Sequence, residues 1–304
     1  MSFRHRIEYL AVRAAVGLAA VLPDRVAESC GTAVGTLFYV LDRRHRRIAL
    51  ENVAAAFPGR SPAEHRAIVR QAFAHFGRLL FAVLTFSRLA PDAMLARVEF
   101  EGEERVRLAH AQNRGVLFVT GHFGFWELQA LVHALRLPPM SVVARTLDNP
   151  ALNGLLERIR TRTGNHVIYR QGTMRRIMRA LQANEGVGVL VDQHTLSREA
   201  VEVRFFGRPA SATPVVAALA LRTGAPVVPL FALPLGQGRY RMIYEPPIEP
   251  PAADDPAAIQ AFTQRCTDVL EMYVQRRPEL WLWMHRRWRV HGAAVDDRPG
   301  SPRP

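Results

Sequence analysis

Apolar positions in this chain follow one pattern up to about residue 90 and another beyond it. From Val98 onward, short β-branched runs alternate with segments whose apolar residues recur at helical spacing. The runs Val98 to Phe100, Val116 to Val119, Ser141 to Ala144, His166 to Tyr169, Val187 to Val191, Val201 to Phe206, Pro226 to Phe231 and Arg239 to Tyr244 predict strands. Helices are predicted at Leu128 to Leu135, Ala151 to Thr161, Met174 to Gln182, Val215 to Leu221 and Ala258 to Gln275. That alternation implies an α/β fold, a mainly parallel sheet flanked by helices on both faces. Before Val98 the periodicity is helical throughout. Ser61-Pro62-Ala63-Glu64 supplies an N-cap, a first-turn proline and a capping-box glutamate for a helix running to Leu89. The turn-rich stretch Pro246 to Asp255 reads as a surface loop.

The first segment, Ile7 to Leu22, is apolar but interrupted by Glu8 and Arg13 and ended by Pro23, so it falls short of the ~20 apolar residues that span a bilayer. A second, Cys30 to Leu41, runs into Arg43-Arg44-His45-Arg46-Arg47. An apolar helix with a basic end suits a membrane-surface anchor on an anionic leaflet, the alternative being an ordinary helical pair with a solvated basic end. The chain therefore divides into membrane-associated helices (1–60), an α/β domain (61–292) and a polar tail (293–304).

Charge narrows the partners. The net charge is +13, carried entirely by arginine, with no lysine in 304 residues. An excess of that size calls for an anionic partner: a membrane, a phosphorylated substrate or nucleic acid. No nucleic-acid-binding motif accompanies the arginine runs, which favours anionic lipid. Two cysteines far apart, Cys30 and Cys266, form neither a disulfide framework nor a zinc site.

The chemistry concentrates in Gly115 to Glu127, where a buried strand ends in Gly121-His122 and Glu127 follows five residues on. A histidine at a strand's carboxyl end, just before a helix, suits a general base, and Glu127 in the helix's first turns is a carboxylate able to fold back onto it. The spacing is weak by itself. With 11 His and 27 acidic residues in 304, chance gives roughly one such pair, and His194/Glu199 and His291/Asp296 share it. His194 is a serious rival, because it too follows an apolar strand, Val187 to Val191, at the edge where open α/β sheets place their sites.

The segments GHFGFWEL, ARTLDNPALN, VGVLVDQH, VEVRFFGRPASATPVVAALALRTGAPVVPLF and RRPELWLWMHRRWR, in this order, resemble the lipid A biosynthesis acyltransferases, the lauroyl and myristoyl transferases of the lysophospholipid acyltransferase superfamily. The resemblance covers nearly the whole chain and selects His122/Glu127 over His194/Glu199. It implies transfer of a fatty acyl chain from acyl-carrier protein or acyl-CoA to a hydroxyl of a membrane glycolipid acceptor, foremost a lipid A precursor, at the cytoplasmic face of a bacterial inner membrane; the alternatives are another glycolipid such as a phosphatidylinositol mannoside, a lysophospholipid, or a non-catalytic membrane-docked relative. No metal or organic cofactor is expected. His122 would deprotonate the acceptor, Glu127 would orient it, and backbone amides around Gly121 to Gly124 would hold the oxyanion. Arg145 would bind a phosphate or the acyl donor, or else form a structural ion pair; Asp192 and Gln193 would shape the site or merely hold its loop; and the turn Phe205-Phe206-Gly207 would pack or line the acyl chain. Trp281, Trp283 and Trp288 with Arg286, Arg287 and Arg289 would form either a membrane or carrier-protein interface or part of the core. Two positions depart from the family pattern: Phe125 stands where it has Asn, and Leu280 where it has Gln. The loss of a polar group beside the base would point to a different acceptor.

Overall fold

The computed structural model describes residues 3–19, 22–169 and 172–288. Arg289, His291 and the polar tail lie outside them.

Helices α1 (Phe3–Ala19), α2 (Asp24–Leu41), α3 (Arg43–Ala56) and α4 (Pro62–Phe86) come first. The predicted capping box is present, with the Ser61 hydroxyl accepting from the Glu64 amide and Glu64 accepting from the Ser61 amide. α2 lies unusually close to α4. A Cβ on Gly31 or Gly35 would run into the α4 backbone, and one on Gly77 into that of α2, so the contact needs glycine on both sides. The basic cluster opens a helix of its own, with Arg43, Arg44 and Arg47 exposed. Asp42 breaks α2, caps the next helix through the His45 amide at 3.0 Å, and the arginines form the first turns of α3. The far end of α3 enters the core, where Ala49 and Val53 are fully buried and Asn52 donates to the Trp283 and His285 carbonyls.

The remainder runs α5 (Pro91–Leu95), β1 (Val98–Glu101), α6 (Glu103–His110), β2 (Val116–Thr120), α7 (Trp126–His133), β3 (Met140–Ala144), α8 (Pro150–Thr161), β4 (His166–Tyr169), α9 (Thr173–Gln182), β5 (Gly186–Leu190), β6 (Val201–Phe205), β7 (Arg208–Ala212), α10 (Val215–Thr223), β8 (Val227–Gly236), β9 (Arg239–Tyr244) and α11 (Pro256–Arg276). Seven strands form one sheet in the order β1-β9-β8-β2-β5-β3-β4. Every neighbouring pair is parallel except β8 and β9, which form a hairpin. β2 is buried along its whole length because helices cover both faces. Phe118 shares one core with Leu128 and Leu131 of α7, whereas Leu117 and Val119 face α9, α10 and α11 on the other side.

β6 does not join this sheet. It pairs antiparallel with β7 in a separate hairpin whose two-residue turn is Phe206-Gly207, both at positive φ (53° and 68°). The segment RPASA has no strand pattern of its own. Its pairing is imposed by β6, which α11 holds through Gln264 and Glu271.

Candidate active site

Two parallel neighbours create the site. Thr120 of β2 stands opposite Leu190 of β5, and the Val191 amide continues the ladder to the Thr120 carbonyl at 3.0 Å. Carried two residues further, the same register sets His122 against Asp192. Strand ends that look like rivals in the sequence, one ending in Gly-His and the other in Asp-Gln-His, thus meet in one place, at the carboxyl edge of the sheet.

Asp192 is fully buried and accepts three hydrogen bonds. Oδ1 takes the His122 ring Nδ1 at 2.9 Å, and Oδ2 takes the His122 amide at 2.8 Å and the Trp281 indole at 2.9 Å. Burial alone would raise its pKa. The charge of His122 and these hydrogen bonds, with His285 adding, outweigh burial and hold the carboxyl far below its ordinary range. The partner shifts in step. Burial pulls the His122 pKa down, but Asp192's charge and hydrogen bond, helped by Glu127 and opposed by Arg160, leave it raised above 6.5. With Nδ1 donating to Asp192, Nε2 carries the basic lone pair.

Glu127 does not fold back onto His122. It lies in a two-pronged ion pair with Arg160 of α8, Nε to Oε2 at 2.9 Å and Nη2 to Oε1 at 2.5 Å. The reason is positional: Glu127 sits in the first turn of α7, facing α8, while Asp192 already occupies the imidazole's Nδ1. Glu127 and Arg160 act on His122 as opposed charges across a shared cavity.

That cavity holds about 360 Å³ and runs between the sheet and helices α7 and α8. Its mouth carries His122, Glu127, Arg160, Arg145 and Gln193, and its interior is apolar, with Phe118, Met140, Val142 and Leu230. Trp126 stands edge-on to His122 with ring centroids 5.3 Å apart. Gln129 spans Thr120 and the Leu230 carbonyl, fixing α7 to β2 and β8. Arg145 is exposed and pairs with Asp148 at 3.0 Å. Gln193 is exposed at the strand end. His194, the rival base, is half-buried on the loop beyond Gln193, and Asp192's carboxylate goes to His122.

Three of the amides expected to hold an oxyanion are engaged within the loop. The His122 amide donates to Asp192, the Phe123 amide to the Gly121 carbonyl and the Gly124 amide to the Leu280 carbonyl, so these three are spent within the loop and not free for an oxyanion. Gly121 and Gly124 make room instead. A Cβ on Gly121 would stand 2.8 Å from the Leu270 side chain and 3.1 Å from the Asp192 carboxylate, and Gly124, at φ 59°, would drive one into the Ala232 carbonyl.

The aromatic-basic segment after α11 is largely core. Trp281 and Trp283 are completely buried and Arg287 almost so, donating to the Ser211 carbonyl at 2.6 Å. Trp281 belongs to the site itself. The Leu282 amide reaches the His122 carbonyl at 3.1 Å, so this strap pins the loop from behind. Phe125 also points away from His122. It is buried against Tyr240 and the imidazole of His75, at 4.8 and 5.3 Å between centroids, because Trp126 takes the cavity side. Its departure from the family pattern therefore removes no polar group from the wall of the His122 cavity.

Among known families, the model of the bacterial lipid A biosynthesis acyltransferases matches residues 1–290. The lipid A biosynthesis lauroyltransferase of Escherichia coli is 30% identical over 281 residues, 91% of this chain and 90% of that protein. The myristoyltransferase of the same organism is 25% identical over 287 residues, 93% of this chain and 88% of its own length. A phosphatidylinositol mannoside acyltransferase of Mycobacterium tuberculosis is 25% identical over 221 residues, 72% of this chain and 68% of that protein.

Proposed function

The chain belongs to the family of bacterial lipid A biosynthesis acyltransferases, and from that premise we propose that it moves a fatty acyl chain from an acyl-carrier-protein or acyl-CoA thioester to a hydroxyl of a lipid A precursor, with His122 as general base. The observation that carries this reading is the His122–Asp192 pair at the mouth of an apolar cavity.

The acceptor hydroxyl gives its proton to Nε2 of His122 as its oxygen attacks the thioester carbonyl. Asp192 holds the imidazole in the tautomer with Nε2 free and stabilises the imidazolium that forms, as a buried carboxylate does beside a catalytic histidine. Collapse of the tetrahedral intermediate expels the thiolate, and His122 returns the proton to it. No acyl-enzyme is required. Developing negative charge on the carbonyl oxygen falls beside Arg160, whose Nε and Nη2 are engaged by Glu127 while its positive charge still faces the cavity. Glu127 keeps that guanidinium in place and leaves the donor role to it. The acyl chain lies along Phe118, Met140, Val142 and Leu230. Arg145 at the mouth, held by an exposed ion pair worth little, can exchange Asp148 for a phosphate of the acceptor.

The same site suits other glycolipid acceptors, and the relative acting on phosphatidylinositol mannoside is the specific ground for a second reading in which the acceptor is such a mannoside. One experiment decides both. Purified protein receives acyl-carrier-protein and acyl-CoA thioesters of several lengths with lipid A precursor, phosphatidylinositol mannoside and lysophospholipid acceptors, and products are read by mass spectrometry. A lipid A precursor product is expected, reduced about 10²- to 10⁴-fold in His122→Ala, the usual worth of a positioned general base, and retained in His194→Ala. Full activity in His122→Ala overturns the mechanism, and a product on the mannoside alone replaces the acceptor.

A further inference from the structure

A second cavity, of about 440 Å³, lies on the opposite side of the loop that carries His122, between α2, α4 and the β8–β9 hairpin. Its floor is apolar, built from Ala82 and Phe86 of α4, Tyr240 of β9, Phe125 and Leu280. Phe125 and Leu280 lie together in this floor. They are coupled through the intervening Gly124, whose amide donates to the Leu280 carbonyl at 2.9 Å.

The rim is charged, and most of its charges are already spent. Arg97 pairs with Asp24 at 3.0 Å, Arg277 with Glu279 at 2.6 Å, and Arg239 turns to Glu99 at 2.6 Å. Two opposite charges have no ion pair among the described residues. Arg78 donates only to the Thr32 hydroxyl, at 3.2 Å, and Glu28, one turn before Thr32 on α2, accepts the Gly238 amide at 2.9 Å. Arg78 is half-buried, and burial lowers its pKa with only partial relief from the charges of Glu28 and Glu279. A cation stripped of part of its water without a close carboxylate is poised for an anionic group, and a guanidinium suits the oxygens of a phosphate. Glu28 adds the complementary demand for a cation. A purely anionic ligand would leave Glu28 unanswered, and a neutral amphiphile would leave both.

We propose that this cavity binds a zwitterionic phospholipid, its phosphate on Arg78, its ammonium towards Glu28, and its hydrocarbon against Phe86, Phe125 and Leu280. The site is separate from the acyl-transfer cavity and does not depend on the acyl-transfer reading. Its ligand is a lipid and not a free headgroup, because the apolar floor gives hydrocarbon a place that a small zwitterion would leave empty.

The test is photolabelling of the full chain with a lysophosphatidylethanolamine carrying a diazirine in its acyl chain, with adducts mapped by peptide mass spectrometry. Adducts are expected in the segment 82–86 and around Leu280, reduced at least fivefold by Arg78→Gln and by Glu28→Gln. Melting temperatures and circular-dichroism spectra equal to those of the unaltered protein report that the variants are folded. As a second measurement on the unaltered protein, non-photoactive lysophosphatidylethanolamine should displace the label from 82–86 whereas monoacylglycerol and lysophosphatidylglycerol of equal chain length should not. Absence of adducts there, labelling indifferent to both substitutions, or equal displacement by either competitor overturns the assignment. Displacement by free phosphoethanolamine at the probe's own concentration also overturns it, by showing that the headgroup alone is the ligand.

Discussion

Asp192 is the residue on which the site turns. A fully buried carboxylate survives ionised only where hydrogen bonds and opposite charge replace its water, and here His122 supplies two donors and Trp281 a third. Trp281→Phe removes one of these and leaves ring packing nearly intact. The expected cost is about 1.5–3 kcal/mol, the range for a hydrogen bond to a charged group, read as a lower denaturation midpoint with an unchanged denaturant slope. An unchanged midpoint would mean that the indole does not support Asp192. The candidate base was legible in the sequence, because a strand ending in Gly-His before a helix is a local pattern. Its partner was not, because His122 and Asp192 are 70 residues apart and their meeting depends on β5 pairing with β2. Glu127, close in sequence, was expected at the imidazole, where Asp192, close in space, makes the hydrogen bond. The signal that could have corrected this was the Asp192 strand end itself, read as the other half of one site instead of the seat of a rival histidine.

At the scale of elements, the position of the loop that carries His122 depends on close backbone approach. Gly31 and Gly35 of α2 meet Gly77 of α4 without room for a methyl group, and α4 in turn carries His75, whose Nε2 lies 3.0 Å from the Gly124 carbonyl. Burial pushes the His75 pKa down to about 3, so the ring is neutral and donates from Nε2 to that carbonyl. Gly77→Ala forces the two helices apart. A loss of about 1–3 kcal/mol is expected from overpacking, seen as a fall in melting temperature, and a melting temperature equal to that of the unaltered protein would show that the helices part freely. Strand and helix positions were largely readable because periodicity records which faces are buried. β6 was readable but its partner β7 was missed, because the pattern of β7 is set by its neighbours, and α4, the one described helix apolar and long enough to cross a membrane, is 61% buried over its apolar stretch.

For the whole molecule, exposed apolar side chains and basic charge gather on the first three helices. Phe3, Ile7 and Leu10 of α1 and Leu37, Phe38, Val40 and Leu41 of α2 are each more than half exposed, and the arginines of α3 follow directly. Such a surface suits docking on an anionic leaflet, with the chain at the cytoplasmic face of an inner membrane as the corresponding proposal. Replacing Leu37 and Phe38 by Ser should weaken binding to vesicles containing anionic lipid by roughly 1.5–3 kcal/mol for each side chain that inserts fully, measured by flotation. Added salt should weaken the binding of both proteins, since the arginine contribution is screened. Equal flotation of the variant and the unaltered protein would remove these residues from the membrane contact.

The most direct test of the account is the pH dependence of kcat/KM for acyl transfer in the unaltered protein, Asp192→Asn and Glu127→Gln. A general base works in its neutral form, so activity should rise as pH passes upward through the raised pKa of His122, placing the inflection above 6.5. In Asp192→Asn the charge that raises this pKa is gone and burial dominates. The inflection should fall below 6.5, and the plateau should drop about 10²-fold or more, as when a catalytic histidine loses its carboxylate. Glu127→Gln removes a smaller raising influence and should lower the inflection by less. An Asp192→Asn profile that superimposes on the unaltered one, with the large shift in Glu127→Gln instead, would contradict the assignment of Asp192 as the partner of the base.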